Sequence, residues 1–331
     1  MPTLTLIQAQ GLVVRTLTRC NTDAENARSV ARALIAAECD GLKGHGLSRV
    51  PMYAKQAKVR KIDGTATPFV ARSRPGLIAI DAANGFAFPA IELAEEALPE
   101  AARSQGIAAA AIRRSSHCGA AGHPVERLAE KGLVALMFVN TPGAMAPWGG
   151  SRAVFGTNPV AFACPLPGRA PLVIDLSLSE AARGKVMVAA RQGKPIPAGW
   201  ALDSQGAPTT DAQAALEGSK QPMGGAKGAM LAMVVEALAC ALTGAAMGFE
   251  ADSFFVDAGN RPRIGQAFLV IDPQALAGRD VYEERIEAMT AAMLADDGVR
   301  LPGARRAALA AKARVEGIEV PDALAAQLRD L

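Results

Sequence analysis

The stretch GLIAIDAANGFAFPAIELAEEALPEAARSQGIAAAAIRRSSHCGAAGHP, Gly76–Pro124, decides the fold class. GLIAIDAANG is a short apolar run closed by Asn-Gly, which reads as a strand. PAIELAEEALPEAARSQG repeats its apolar residues at helical spacing and ends on glycine, so it reads as a helix. GIAAAAIRRSS reads as a second strand. A strand, a connecting helix and a strand predict an α/β fold. The chain then turns through small residues, Ser115–Pro124, before the next apparent helix. Such a turn can present backbone N–H groups to a phosphate. Neither G-x-G-x-x-G nor a Walker A sequence occurs, so the expectation is α/β of a non-Rossmann kind.

Outward from this stretch, GLVALMFVNTP, RAVFGTNPVAFACP, PLVIDLSLS and IGQAFLVIDP read as further strands. GAKGAMLAMVVEALACALTG reads as a long helix ending at Gly244, buried in the core because only Glu236 interrupts its apolar run. The first 75 residues read as helices, one capped by Thr5 or Thr3 and a second by a Thr22–Glu25 capping-box spacing. The tail from Asp280 to Leu331 reads as helical, interrupted by RLPGARR. Each end alone is too short to hide its apolar face. Residues 1–75 and 276–331 are therefore expected to form one discontinuous helical domain on the substrate side. Residues 76–275 would form a sheet-rich domain for cofactor binding and dimerisation. RQGKPIPAGWALDSQGAPTTDAQAALEGSKQPMGG reads as a long irregular segment, a lid or partner contact.

Composition narrows the function. The 331 residues are 50% hydrophobic and 20% charged, with net charge +3 and no concentrated Lys/Arg run, which argues against nucleic acid. Five scattered cysteines without C-x-x-C read as buried thiols in a reducing cytosol. The N-terminus lacks the basic region of a signal peptide, and no uninterrupted apolar span suggests a membrane partner. A soluble cytoplasmic protein is expected. G-x-S-x-G is absent. His117, Cys118 and His123 have no carboxylate nearby in sequence, so no metal is expected.

LKGHGLSRVPMY, Leu42–Tyr53, holds one of only three histidines. Glycine on both sides of His45 lets the backbone approach a ligand. Arg49, four residues on, offers a planar fork for a carboxylate. A histidine beside such an arginine can exchange a proton with an acid substrate. FGTNP (Phe155–Pro159) makes a rigid polar corner, and GGAKG (Gly224–Gly228) opens a helix with Lys227, which suits an anion. Together these features suggest a nucleotide and an anionic substrate.

The motifs GHGLSR, RSSHCGAAGH, APWGG, FGTNPVAFACP, DLSLSEAARGKV, IPAGWALD, PTTD and GGAKGAMLAMVVEAL stand in one order along nearly the whole chain. In that order they resemble the type 2 malate/L-lactate dehydrogenase family. The resemblance implies a non-Rossmann fold, a cytoplasmic homodimer, NADPH or NADH as cofactor, and a small 2-oxo, 2-hydroxy or 2-imino acid as substrate. DAANGFAFPA and RLPGARRAALAAKARVEGIEV are most similar to the Δ1-piperideine-2-carboxylate/Δ1-pyrroline-2-carboxylate reductases. Cyclic imine reduction is therefore the first expectation, and 2-hydroxy-acid dehydrogenation the second. A catalytically silent binding relative is the expectation from another class; retention of His45, Arg49 and Thr157 argues against it. The resemblance implies His45 as acid/base and Arg49 and Thr157 as substrate ligands. It implies cofactor contacts from His117, Cys118, Gly119, Ala120, Ala121, Asp175, Leu176, Ser177 and Lys227. The same is implied for Arg300, Leu301, Pro302, Gly303, Ala304, Arg305 and Arg306, whose arginines favour NADPH. Gly44 and Lys185 depart from the pattern, standing where the imine reductases carry a serine and an aspartate relay.

Overall fold

The computed structural model describes residues 3–331. After a short strand β1 (Thr3–Leu4), helix α1 (Leu6–Thr18) starts at a reciprocal cap. The Thr5 hydroxyl accepts the Gln8 N–H at 3.2 Å and the Gln8 amide oxygen accepts the Thr5 N–H at 2.9 Å. Helix α2 (Ala24–Cys39) is capped by Asp23, whose carboxylate accepts the Asn26 N–H at 2.7 Å. The Thr22–Glu25 box does not form; the Thr22 hydroxyl turns back to the Cys20 carbonyl. A charged acceptor one residue on makes the stronger cap. Helix α3 (Val50–Lys58) follows two tight turns that carry residues 43–49.

The expectation of helices throughout residues 1–75 needs correction at β2 (Phe69–Arg74). This strand, exposed along its length, pairs with β3 (Leu77–Asp81) at the edge of the main sheet, where one neighbour suffices to order it. Helix α4 (Ala87–Gln105) then crosses to β4 (Ile107–Ser115), which runs parallel to β3. Next come α5 (Gly122–Glu130), β5 (Val134–Val139), β6 (Val160–Leu166) and β7 (Arg169–Leu176).

The segment expected to be irregular is folded. After α6 (Arg183–Arg191), which ends where the segment begins, it contains β8 (Ala201–Leu202), β9 (Pro208–Thr209), α7 (Ala212–Glu217) and β10 (Ser219–Lys220). Its three strands pair in the order β10-β8-β9 over a small core of Val186, Ile196, Ala201, Ala212 and Ala215. Two-residue strands carry no readable period, which is why the sequence hid them.

Helix α8 (Ala226–Glu236) runs on through a wide turn at Ala237–Ala241. Its expected full burial is also corrected. Ala232 and Val235 are buried, but Met230 and Met233 are 62% and 57% exposed. An apolar run by itself does not separate a core helix from one that keeps an open apolar face. Strand β11 (Ile264–Ile271) inserts between β4 and β5, completing a seven-stranded sheet in the order β2-β3-β4-β11-β5-β6-β7. The chain closes with α9 (Arg279–Leu294), α10 (Ala304–Glu316), β12 (Ile318–Glu319) and α11 (Asp322–Asp330).

Two main cores result. Ile80, Ile112 and Phe268 of the sheet pack under Leu98 of α4 and Leu128 of α5. Leu17, Leu34 and Tyr53 from the start of the chain pack with Val320 and Leu328 from its end. β1 pairs with β12, and the Thr16 hydroxyl donates to the Leu328 carbonyl, so both ends share one body. Helix α9 instead lies on β6 and β7 through Tyr282 and Ile286. All five cysteines are buried and free. Among the described residues no helix is long and apolar enough to cross a membrane.

Candidate active site

The loop after α2 shows why glycines flank His45. Glu38, nearly buried, accepts the Leu47 N–H at 2.7 Å and pairs with Lys43 at 2.6 Å. A Cβ on Gly46 would lie 2.3 Å from that carboxylate, so only glycine lets the loop close over it. A Cβ on Gly44 would meet nothing within 4 Å. The Gly44 carbonyl accepts Arg49 Nε at 2.6 Å. That bond tethers Arg49 by one nitrogen, and no carboxylate of the described residues pairs with the rest of its guanidinium.

His45 stacks on His117, ring centroids 5.6 Å apart and planes within 5°. Loss of water around the ring, then the Arg49 charge, lowers the His45 pKa to about 4. Its Nδ1 is buried without a partner. His117 is held more firmly. Its Nδ1 accepts the Tyr53 hydroxyl at 2.7 Å and the Gly119 N–H at 3.3 Å, an arrangement that leaves the proton on Nε2. Desolvation, Arg49 and His45 push its pKa well below the usual value. Phe254 meets the His117 ring edge-on at 5.3 Å. Gln56 and the buried Lys61 hold the backbone of this Phe254–Phe255 loop at Phe254, Val256 and Ala258. Tyr53 and this loop escaped the sequence reading, because each depends on contacts between distant segments.

Thr157 is positioned by a second network. Its N–H donates to Thr141 Oγ1 at 2.9 Å, and its carbonyl accepts the Leu178 N–H at 2.9 Å. The neighbouring Asn158 amide donates to the buried Glu236 carboxylate at 3.0 Å. Glu236 also accepts from Gly156, Gly248 and the Cys240 thiol. A lone glutamate in an apolar helix was the available signal for this anchor.

Asp175 joins the Ser115–Pro124 turn to the chain's C-terminal part. Its Oδ2 accepts the Gly122 N–H at 3.0 Å and lies 3.6 Å from Arg306 Nη1. His117, Gly119, Ala120, Ala121, Asp175, Ser177 and Arg306 thus gather at the ends of β4 and β7. Cys118 is buried, its thiol pushed up to about 12 by desolvation, so it packs rather than reacts. A groove of about 800 Å³ runs beside these residues between α2, α5 and β7. Arg300, Leu301, Pro302, Gly303, Ala304 and Arg306 form one wall of it. Arg305 faces an adjoining cleft of about 510 Å³ with Arg300. Neither His45 nor Arg49 lines the groove, but Asp175 and Arg306 are near enough to bear on the charge of His45. Leu176 is 36% exposed. Lys227 stands exposed in the first turn of α8 without a hydrogen-bond or ion-pair partner among the described residues. His123 pairs with Asp40 at 2.9 Å and so ties α5 to the end of α2.

A histidine pair beside an unneutralised arginine, next to a groove walled by arginines, is equipped for an acidic substrate and an anionic cofactor. Comparison with known proteins agrees. The family model described as malate/L-lactate dehydrogenase matches residues 5–329. The chain belongs to that family. It is 51% identical over 328 residues to a (2R)-3-sulfolactate dehydrogenase (NADP(+)) of Chromohalobacter salexigens, covering 98% of this chain and 97% of the relative. It is 39% identical over 328 residues, 98% of each chain, to a Pseudomonas aeruginosa Δ1-pyrroline-2-carboxylate/Δ1-piperideine-2-carboxylate reductase. The crystal structure of δ1-piperideine-2-carboxylate reductase from Pseudomonas syringae pvar. tomato superposes with TM-score 0.94 at 38% identity, covering 100% of this chain and 99% of that one. As a member of the malate/L-lactate dehydrogenase family, the protein is an NAD(P)-dependent oxidoreductase of α/β fold. The two departures from the imine-reductase pattern have clear surroundings: Gly44 borders open space, and the Lys185 ammonium lies 5.9 Å from the Trp200 ring centroid.

Proposed function

We propose that the protein interconverts a small 2-hydroxy acid and its 2-oxo acid, with NADP(H) as the hydride carrier. The observation that carries this reading is His45, a neutral imidazole beside the free edge of Arg49. A neutral imidazole accepts the hydroxyl proton as hydride leaves C2. Arg49 and Thr157 hold the carboxylate so that C2 faces His45. The carboxylate offsets the Arg49 charge that depresses His45, and so favours the imidazolium that protonates the oxygen in the reverse direction. His117, fixed by Tyr53, keeps the His45 ring in its plane. Identity of 51% to an NADP(+)-dependent sulfolactate dehydrogenase supports both the substrate type and the cofactor.

The groove suits a dinucleotide. Its walls carry the Arg300 and Arg306 charges, and Gly122 leaves the helix N-terminus bare, where a Cβ would crowd Asp175 and Arg306 at 3.1–3.3 Å. The turn His117–Ala121, Asp175, Ser177 and the segment Arg300–Arg306 would hold the cofactor, which supplies hydride exchange at its nicotinamide.

Reduction of a cyclic 2-imino acid is the second reading. The 39% identical reductase and the TM-score of 0.94 favour it. We also propose a cytoplasmic homodimer, joined through the open apolar face of α8 at Met230, Leu231, Met233 and Val234.

The test follows NADPH absorbance with 3-sulfolactate, malate and lactate in oxidation, and with pyrroline- and piperideine-2-carboxylate in reduction. NADP⁺-dependent oxidation of a 2-hydroxy acid should occur and be lost in His45→Ala. Reduction of the imines alone would replace the first reading by the second. Activity retained in His45→Ala would overturn both.

A further inference from the structure

Lys220 stands out among the buried charges. It is only 7% exposed, and its ammonium has neither an ion-pair nor a hydrogen-bond partner among the described residues. A buried lysine is rarely left so. Its backbone ties it to both sides of the substrate region. The Lys220 N–H donates to the Ala144 carbonyl, and the Lys220 carbonyl accepts from Ala146, in the segment that brings Thr141 to Thr157. The residues just after it, Gln221 to Met223, bond to Leu178 and Glu180, which lead into Arg183.

Arg183 reaches the same aromatic ring as Arg49. Their guanidinium carbons lie 5.3 Å and 5.7 Å from the centroid of one ring, Phe255, so they are no more than about 11 Å apart. Arg183 has no carboxylate partner among the described residues either. It is the neighbouring charge that, after desolvation, lowers the Lys220 pKa to about 7. Two cations that repel each other are stabilised by an anion between them. Arg49 already serves the substrate's carboxylate in the proposed function.

We infer that Lys220 and Arg183 form a second anion site that takes a distal acidic group of the substrate. This deepens the proposed 2-hydroxy-acid reading and rests on it. Each guanidinium carbon sits about 4 Å from the carbon or sulfur of the acid group it binds. Within the 11 Å limit, the two acidic groups must belong to one short substrate. The substrate class is therefore a short 2-hydroxy acid with a carboxylate or sulfonate tail, and Lys220 selects for the tail.

The test compares kcat and KM of the full chain for oxaloacetate, 3-sulfopyruvate and pyruvate with NADPH. Lys220→Met keeps the side-chain volume and removes the charge. It should lower the ratio of kcat/KM for tailed over tail-less acids about tenfold or more, mainly through KM, the effect of one charge-assisted bond. Lys220→Arg should restore most of the ratio. Arg183→Gln should lower it as well, and carries the test if Lys220→Met does not fold. Calorimetric titration of sulfoacetate, an unreactive tailed acid, should show binding that weakens by a similar factor in Lys220→Met. A wild type that reduces 2-oxo acids with a ratio unchanged by these variants would overturn the second site and leave the proposed function standing. A wild type that reduces none of them, yet binds sulfoacetate through Lys220, would overturn the proposed function and leave the site standing.

Discussion

His45 and His117 stack with ring planes within 5° of each other, yet only His117 is fixed by hydrogen bonds, from Tyr53 and Gly119. One ring is a fixed wall and the other, with an unpartnered Nδ1, is free to change protonation. In the proposed reaction that asymmetry gives the proton transfer to His45.

The His45 pKa of about 4 makes the two directions of reaction differ with pH. Oxidation needs the neutral ring, which is already present throughout pH 6–8, so its kcat/KM should show no inflection from His45. Reduction of a 2-oxo acid needs the protonated ring, whose share falls about tenfold per pH unit above the pKa. Initial rates across pH 6–8 should show that slope, and a flat reduction profile would contradict the assignment. Stability follows the same sign. The unfolded ring takes up a proton below about 6.5 that the folded ring refuses until about 4. Stability should fall as pH drops through that window. Urea unfolding at pH 7 and 5.5 should show a smaller loss in His45→Gln.

The two glycines beside His45 should respond in opposite ways. Gly46→Ala would drive a Cβ into the Glu38 carboxylate at 2.3 Å and should cost about 1–3 kcal/mol, as overpacking does. Gly44→Ala meets nothing within 4 Å and should melt within a few degrees of the wild type. Thermal melts of the two variants decide it.

Glu236→Gln should weaken substrate binding from a distance. The carboxylate accepts from Gly156, Asn158, Gly248 and Cys240, and a glutamine in its place offers one oxygen and brings unwanted donors. Leaving buried donors unmet costs about 1–3 kcal/mol. The Thr157 corner should loosen, raising KM for the acid more than it lowers kcat. An unchanged KM would remove Glu236 from the positioning network.

The arginines at the groove should set cofactor choice. We expect NADPH to be preferred to NADH, and Arg300→Ala or Arg305→Ala to reduce the preference roughly tenfold, since one charge-assisted bond is worth about 1.5–3 kcal/mol. Neither belongs to the Arg306–Asp175 pair, so the effect should appear in the cofactor KM. Equal efficiency with both cofactors in the wild type would contradict this.

Much of the candidate site was legible before the structure, because its signals are local. The spacing from His45 to Arg49 lies within two tight turns, and the small residues after β4 mark a turn wherever they occur. The alternation of β5, with Ala135, Met137 and Val139 buried, and the Thr5 cap of α1 likewise depend only on neighbours in sequence. The Asp23 cap, the two-residue strands β8–β10 and the edge strand β2 were not legible. Each was decided by competition among acceptors or by pairing with a distant strand.

Fold class and family followed from the order of residues alone, and so did the proposal of His45 as the proton carrier, since backbone propensity and motif spacing are properties of the chain. The tertiary structure decided what surrounds those residues. Desolvation and the Arg49 charge make His45 neutral, the Gly119 N–H chooses the tautomer of His117, and Phe255 gathers Arg49 and Arg183 over one ring. Burial, charge proximity and ring stacking depend on distances between segments far apart in sequence, and those distances exist only once the chain has folded.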